Sequence, residues 1–120
     1  MGHGSRAPVR REDAADGVYP AAMQTVELVV RNEHGIHARP AANFVRLTNR
    51  YRSKVSIENL TRGSGPVNAK SILLLIPAGV EQGHRIRVTT EGPDEVEALA
   101  AIAEAVNSGL GEAVKDVPAS

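Results

Sequence analysis

The chain has no cysteine, which excludes a disulfide framework, thiol chemistry and a thiolate metal site. Aromatic residues make up only 2% of it, with one Phe and no Trp, so it lacks the rings on which unpaired bases stack. The formal net charge is +0. That leaves no electrostatic footprint for a polyanion, and nucleic acid is not an expected partner. The longest apolar run, residues 72–78, falls far short of the roughly 20 residues that a membrane-spanning helix needs. A secretory signal pattern is missing as well, so no membrane insertion is expected and a cytoplasmic location is the default.

What remains is aliphatic. Apolar residues are 42% of the 120, and the core must be built from Val, Ile, Leu and Ala, enough for a single domain. The charges are unevenly spread. Residues 31–70 carry eight basic and two acidic side chains, whereas seven acidic and one basic lie from Glu91 onward. Such an asymmetry is either a pair of solvated faces or a means of steering an acidic partner toward the basic half.

Residues 1–22 have no apolar period and read as disordered, either a native extension or a cloning remnant. The domain is expected over residues 23–112, with a frayed tail over 113–120. Residues 25–31 are a first strand, with Leu28 and Val30 on one face. Residues 38–50 form a helix whose stripe is Ala41, Phe44, Val45 and Thr48. Residues 53–58 alternate with Val55 and Ile57 inward, which is the pattern of a half-buried antiparallel strand. A Gly-rich loop over 61–66 leads to a short strand at 67–69. Ser71 then caps a stubby helix through Ile76, which Pro77 and Gly79 terminate. The strand over 84–90 turns Ile86 and Val88 inward. The last helix begins near Asp94, with Val96, Leu99, Ala100, Ala103 and Val106 as its apolar stripe. The order β-α-β-β-α-β-α predicts an α+β fold: an open-faced two-layer sandwich with a four-stranded antiparallel sheet and three helices on one face.

Chemistry concentrates in Gly35-Ile36-His37-Ala38-Arg39-Pro40-Ala41. Pro40 suits the first turn of a helix, where a missing N–H costs nothing. His37 or Ala38 is then the N-cap, and the free N–H groups of the first turn face the imidazole. A helix start favours anions, an imidazole nitrogen accepts a phosphoryl group, and the Arg39 guanidinium can neutralise its oxygens. By residue type alone, His37 is a phosphate carrier, a solvated cap or a packing residue. His34 either bonds a phosphate, perturbs His37 or faces water, and water is the simplest reading. His84 lies on a strand and His3 in the tail, without partners at metal-ligand spacing, so both read as inert and no metal site or cofactor is expected.

The same heptapeptide resembles the active-site signature of HPr, the histidine phosphocarrier family of the bacterial phosphoenolpyruvate-dependent sugar phosphotransferase system. The likeness runs from about residue 23 to residue 112 and includes a second motif, Ala69-Lys70-Ser71-Ile72, at the family's spacing. It implies the HPr-like open-faced sandwich. It also implies that His37 takes a phosphoryl group on Nδ1 from Enzyme I and passes it to enzyme IIA domains, with Arg39 and the backbone N–H groups of Ala38 and Arg39 holding the phosphate. The chain would act as a carrier with a covalent intermediate, not as a free-standing enzyme, and as a monomer. Ser71 resembles the serine modified by HPr kinase/phosphorylase, which would make it regulatory, although serine is also an ordinary N-cap. Ile72, Leu73 and Ile76 match a helix that the family uses in part as a partner surface. Two alternatives share the motifs: a carrier in a nitrogen-regulatory or signalling branch, or a module that contacts a transcription regulator through phosphorylated Ser71. Where this chain has His34, the family often has Asn or Ser.

Overall fold

A computed structural model describes residues 23–114 and 119; the expectations for residues 1–22, and for most of 113–120, lie outside the described residues. The chain runs through β1 (Gln24–Val29), α1 (Arg39–Thr48), β2 (Lys54–Asn59) and β3 (Val67–Asn68). It continues through α2 (Ile72–Leu75), which passes into a 3-10 turn (Ile76–Ala78), then β4 (Arg85–Glu91) and α3 (Glu95–Asn107). The four strands form one antiparallel sheet in the order β1-β4-β2-β3. The open-faced α+β sandwich expected from the pattern is therefore the fold. Among the described residues no helix is long and apolar enough to cross a membrane.

Period-two alternation decides which sheet face is covered. Leu28 pairs with Ile86, and Val88 lies between Val26 and Ile57, so the inward side chains of three strands meet in register. The helices close over this face, and Phe44, Ile57, Ile86, Ile102 and Val106 are completely buried. The other face stays polar. There Arg87 lies between Glu27 (3.1 Å) and Glu58 (3.2 Å), and Arg85 reaches Glu27 at 3.4 Å. The bonds from Arg87 and then Arg85 hold the Glu27 carboxyl below its usual range. Exposed pairs of this kind stabilise little; they keep the open face wet.

Three expectations need correction. The buried stripe of α3 is Glu95, Ala98, Ile102 and Val106, while Val96 and Ala100 are exposed. This helix is apolar on nearly every side, so its phase is set by what it packs against and not by its own pattern. Ser71 does stand at the head of α2, but its side chain makes no capping bond there. Pro77 sits inside the 3-10 turn and does not end it; Gly79, in the left-handed region at φ 64°, does.

Asp94 does not cap α3 either. Its carboxylate accepts from the Arg52 N–H (2.9 Å), the Ser53 N–H (2.9 Å) and the Ser53 hydroxyl (2.5 Å), tying the entry of β2 to the head of α3. These bonds, the Ser53 hydroxyl first, lower its pKa to about 2. Glu95 serves the helix start instead, with Oε1 accepting from the Gly92 N–H at 2.9 Å.

Candidate functional site

His37 is delivered by a turn with little freedom. The Gly35 N–H donates to the Asn32 carbonyl (3.0 Å), and the Ile36 N–H donates to the Val80 carbonyl (2.9 Å). Ile36 is buried at 2% exposure, so it anchors the segment while His34 and His37 on either side stay exposed. Gly35 has φ 72°, and a Cβ there would stand 2.0 Å from the Val80 oxygen. Only glycine fits that approach.

Ala38, not His37, is the N-cap of α1, with φ 53° and ψ −124°. A positive φ in an L-residue costs of order 1–3 kcal/mol and persists only where its surroundings impose it. Here Pro40 in the first turn is buried, and the Ala42 N–H closes the first helical bond onto the Ala38 carbonyl at 3.0 Å. The N–H groups of Ala38, Arg39 and Ala41 precede that bond and have no acceptor along the helix. Among the described residues no side chain caps them, and no acidic residue occupies the first turn. The positive end of the helix is thus open to an external anion. Arg39 is exposed beside it.

His37 also borders a shallow depression of about 570 Å³, lined by Glu33, His34, Ile76, Glu81 and Gln82 among others. The rings of His34 and His37 lie 6.0 Å apart between centroids, at 57° to each other. Two acidic residues, Glu33 and Glu81, are thus part of this lining, although it lies within the basic half of the chain or against it. Arg39 is not part of the lining.

The α2 segment reaches the same place from the other side. Ile72 (41%), Leu73 (81%), Leu74 (48%) and Ile76 (41%) are all exposed, and Leu75 alone points inward, at 1%. The three residues singled out from sequence are on the surface, Leu74 joins them, and Ile76 links this apolar patch to the histidine depression. Ser71, half-buried, lies at the far end of the patch. Among the described residues no group of three or more His, Asp or Glu side chains is placed to hold a metal ion.

His84 is neither on a strand nor idle. It precedes β4, and its Nδ1 accepts from the Glu81 N–H (3.1 Å) and lies 3.2 Å from Asn59 Nδ2. With donors on both sides, Nδ1 is the unprotonated nitrogen. Asn59, fully buried, also donates to the Ala78 carbonyl at 3.0 Å and accepts from the Arg62 N–H at 3.2 Å. Asn32, equally buried, donates to the Gly109 carbonyl (2.7 Å) and to Glu112 (3.0 Å). These two asparagines and His84 hold the loops that frame the site. Sequence reading passed over them, yet both asparagines continue the inward alternation of Leu28-Val30 and of Val55-Ile57, and that signal would have found them. His3 lies outside the described residues.

The profile of the family described as "PTS HPr component phosphorylation site" matches residues 24–108. The chain is 47% identical over 91 residues to the multiphosphoryl transfer protein of Haemophilus influenzae, covering 76% of this chain and 18% of that protein. It is 38% identical over 80 residues to the phosphocarrier protein HPr of Mycoplasma pneumoniae, covering 67% and 89% respectively. The crystal structure of HPr-C-His from Thermoanaerobacter tengcongensis superposes with a TM-score of 0.71 at 36% identity, over 76% of this chain and 99% of that one. The chain thus spans about a fifth of the length of the multiphosphoryl transfer proteins that it matches.

Proposed function

The chain belongs to the HPr family of phosphotransferase-system phosphocarriers, and we propose that His37 is the residue that carries the phosphoryl group. In this reading His37 Nδ1 takes the group from the phosphohistidine of Enzyme I and hands it to an enzyme IIA domain in phosphoenolpyruvate-dependent sugar uptake. The observation that carries it is an exposed imidazole next to a helix head that has no side-chain cap and no acidic residue in its first turn. Phosphoryl transfer asks for in-line positioning and charge stabilisation and little else. As the donor N–P bond breaks, the new one forms at His37. The Arg39 guanidinium and the backbone N–H groups of Ala38 and Arg39 take up charge on the equatorial oxygens.

The apolar patch of Ile72, Leu73, Leu74 and Ile76 is the docking surface for both partners in this reading. Its support is its continuity with the depression at His37. Ser71 is a regulatory position by the same reasoning: its hydroxyl is not used as a cap, and a phosphate there would set negative charge beside the patch and oppose an acidic partner.

Incubation with phosphoenolpyruvate and Enzyme I tests the assignment. The expected product is one acid-labile, base-stable label per chain, absent from His37→Ala. Arg39→Ala should slow labelling tenfold or more, on the order of one charge-assisted contact, with its circular dichroism unchanged. Label retained by His37→Ala sinks the proposal. Discharge by a sugar-specific IIA domain assigns sugar uptake, and discharge only by a nitrogen-regulatory one assigns the signalling branch.

A further inference from the structure

A phosphoryl group on His37 would meet, besides the head of α1, a depression whose lining includes Glu33 and Glu81. Of the described lining residues other than His37, only His34 can become a cation. The remaining charged and titratable groups nearby stand around this lining and not in it. Arg39 is at the head of α1. Arg62 lies over Gly79 on the rim, its Nη1 2.5 Å from where a Gly79 Cβ would be. His84 is behind Glu81, its Nδ1 accepting from the Glu81 N–H. A phosphoryl group brings about −1.5 to −2 charges near neutral pH, and two carboxylates alone would repel it.

Exposure leaves both imidazoles free to turn, and a centroid distance of 6.0 Å is short enough for a phosphoryl oxygen to bridge them. We propose that protonated His34 donates a hydrogen bond to the phosphoryl group on His37, so that the stability of the loaded carrier depends on pH across the imidazole range. The proposal rests on His37 being the acceptor. No bond to phosphorus forms or breaks at His34. It takes a proton from solvent as pH falls and returns it as pH rises, while the N–P bond stays on His37. A side chain such as Asn can hydrogen-bond but cannot carry that charge.

The test compares the full chain with His34→Asn and His34→Lys after loading with phosphoramidate, a chemical donor that needs no partner protein. Peptide mapping locates the phosphate, and its spontaneous loss is followed across pH. Taking rates as a ratio to His34→Asn at each pH cancels the intrinsic acid lability of phosphohistidine. The native chain should lose phosphate about tenfold more slowly than His34→Asn near pH 6, the scale of one charge-assisted bond. The ratio should approach one above about pH 8, where an ordinary imidazole is neutral. His34→Lys, a cation throughout that range, should keep its protection at both ends. Phosphate on His37 with a ratio of one, or one that does not change with pH, overturns the role of His34 and leaves the carrier reading intact. Phosphate found anywhere but on His37 overturns both.

Discussion

Two glycines with the same backbone conformation separate conformational cost from steric cost. Gly35 has φ 72° and Gly63 has φ 73°, so alanine pays a similar left-handed penalty at each, about 1 kcal/mol. Their surroundings differ. A Cβ at Gly63 meets nothing within 4 Å, whereas at Gly35 it meets three backbone atoms, the Val80 oxygen at 2.0 Å, the Glu81 Cα at 2.7 Å and the Val80 carbonyl carbon at 2.9 Å. Backbone cannot swing aside as a side chain can. Relief at Gly35 means breaking the Ile36–Val80 hydrogen bond and lifting Ile36 from the core, which adds about 1 kcal/mol for the bond and about 1–2 kcal/mol for the side chain. Gly63→Ala should therefore cost about 1 kcal/mol and Gly35→Ala about 3–4 kcal/mol. Urea denaturation reads both directly. With a slope near 1 kcal/mol/M for a domain of this size, the Gly35→Ala midpoint should fall by about 3 M relative to the native chain. Gly35→Ala should also slow labelling of His37, because the displaced segment carries that ring. Equal destabilisation by the two substitutions would refute the reasoning, since it would mean that the close approach of residues 35 and 80 contributes nothing.

Asp94 supplies a pH signature. Its pKa is lowered to about 2 from 3.8, so its ionised form favours the folded state. That contribution is complete above the unfolded value and disappears as pH falls through the folded one. The stability gap between the native chain and Asp94→Asn should be constant above about pH 5 and close near pH 2; a gap that widens in acid would contradict the bonding to Arg52 and Ser53. Adjacent leucines in α2 should behave oppositely. Leu75→Ala, at 1% exposure, should cost about 2–4 kcal/mol, while Leu73→Ser, at 81%, should leave thermal stability within about 0.5 kcal/mol and weaken Enzyme I docking in a titration. Unchanged docking by Leu73→Ser would remove that residue from the partner surface.

Legibility followed the strength of local pattern. The segments 53–58 and 84–90 alternate cleanly, and β2 and β4 lie where that alternation puts them, offset by one residue. The α1 stripe is equally plain, because Ala41, Phe44 and Thr48 stand against polar neighbours, and all three are buried. In α2 and α3 the pattern gives no phase. Five consecutive aliphatic residues at 72–76, or an Ala-rich helix apolar on most sides, do not say which face turns inward, and the packing partner decides. That is why Leu75 rather than Ile72 or Ile76 is core, and why Ala98 and Ile102 replace Ala100 and Leu99 as the most buried part of α3.

Sequence alone determined the element order, the aliphatic core, and a histidine placed where a strand hands over to a helix, because each of these is written in neighbouring residues a few positions apart. The tertiary structure decided the rest: the strand order β1-β4-β2-β3, the choice of Ala38 over His37 as N-cap, and the pairing of Asp94 with the entry of β2, 41 residues earlier. It also decided that His34, Glu33 and Glu81 line the depression at His37. Those features arise from contacts between segments far apart in the chain, and such contacts exist only once the sheet has closed against its helices.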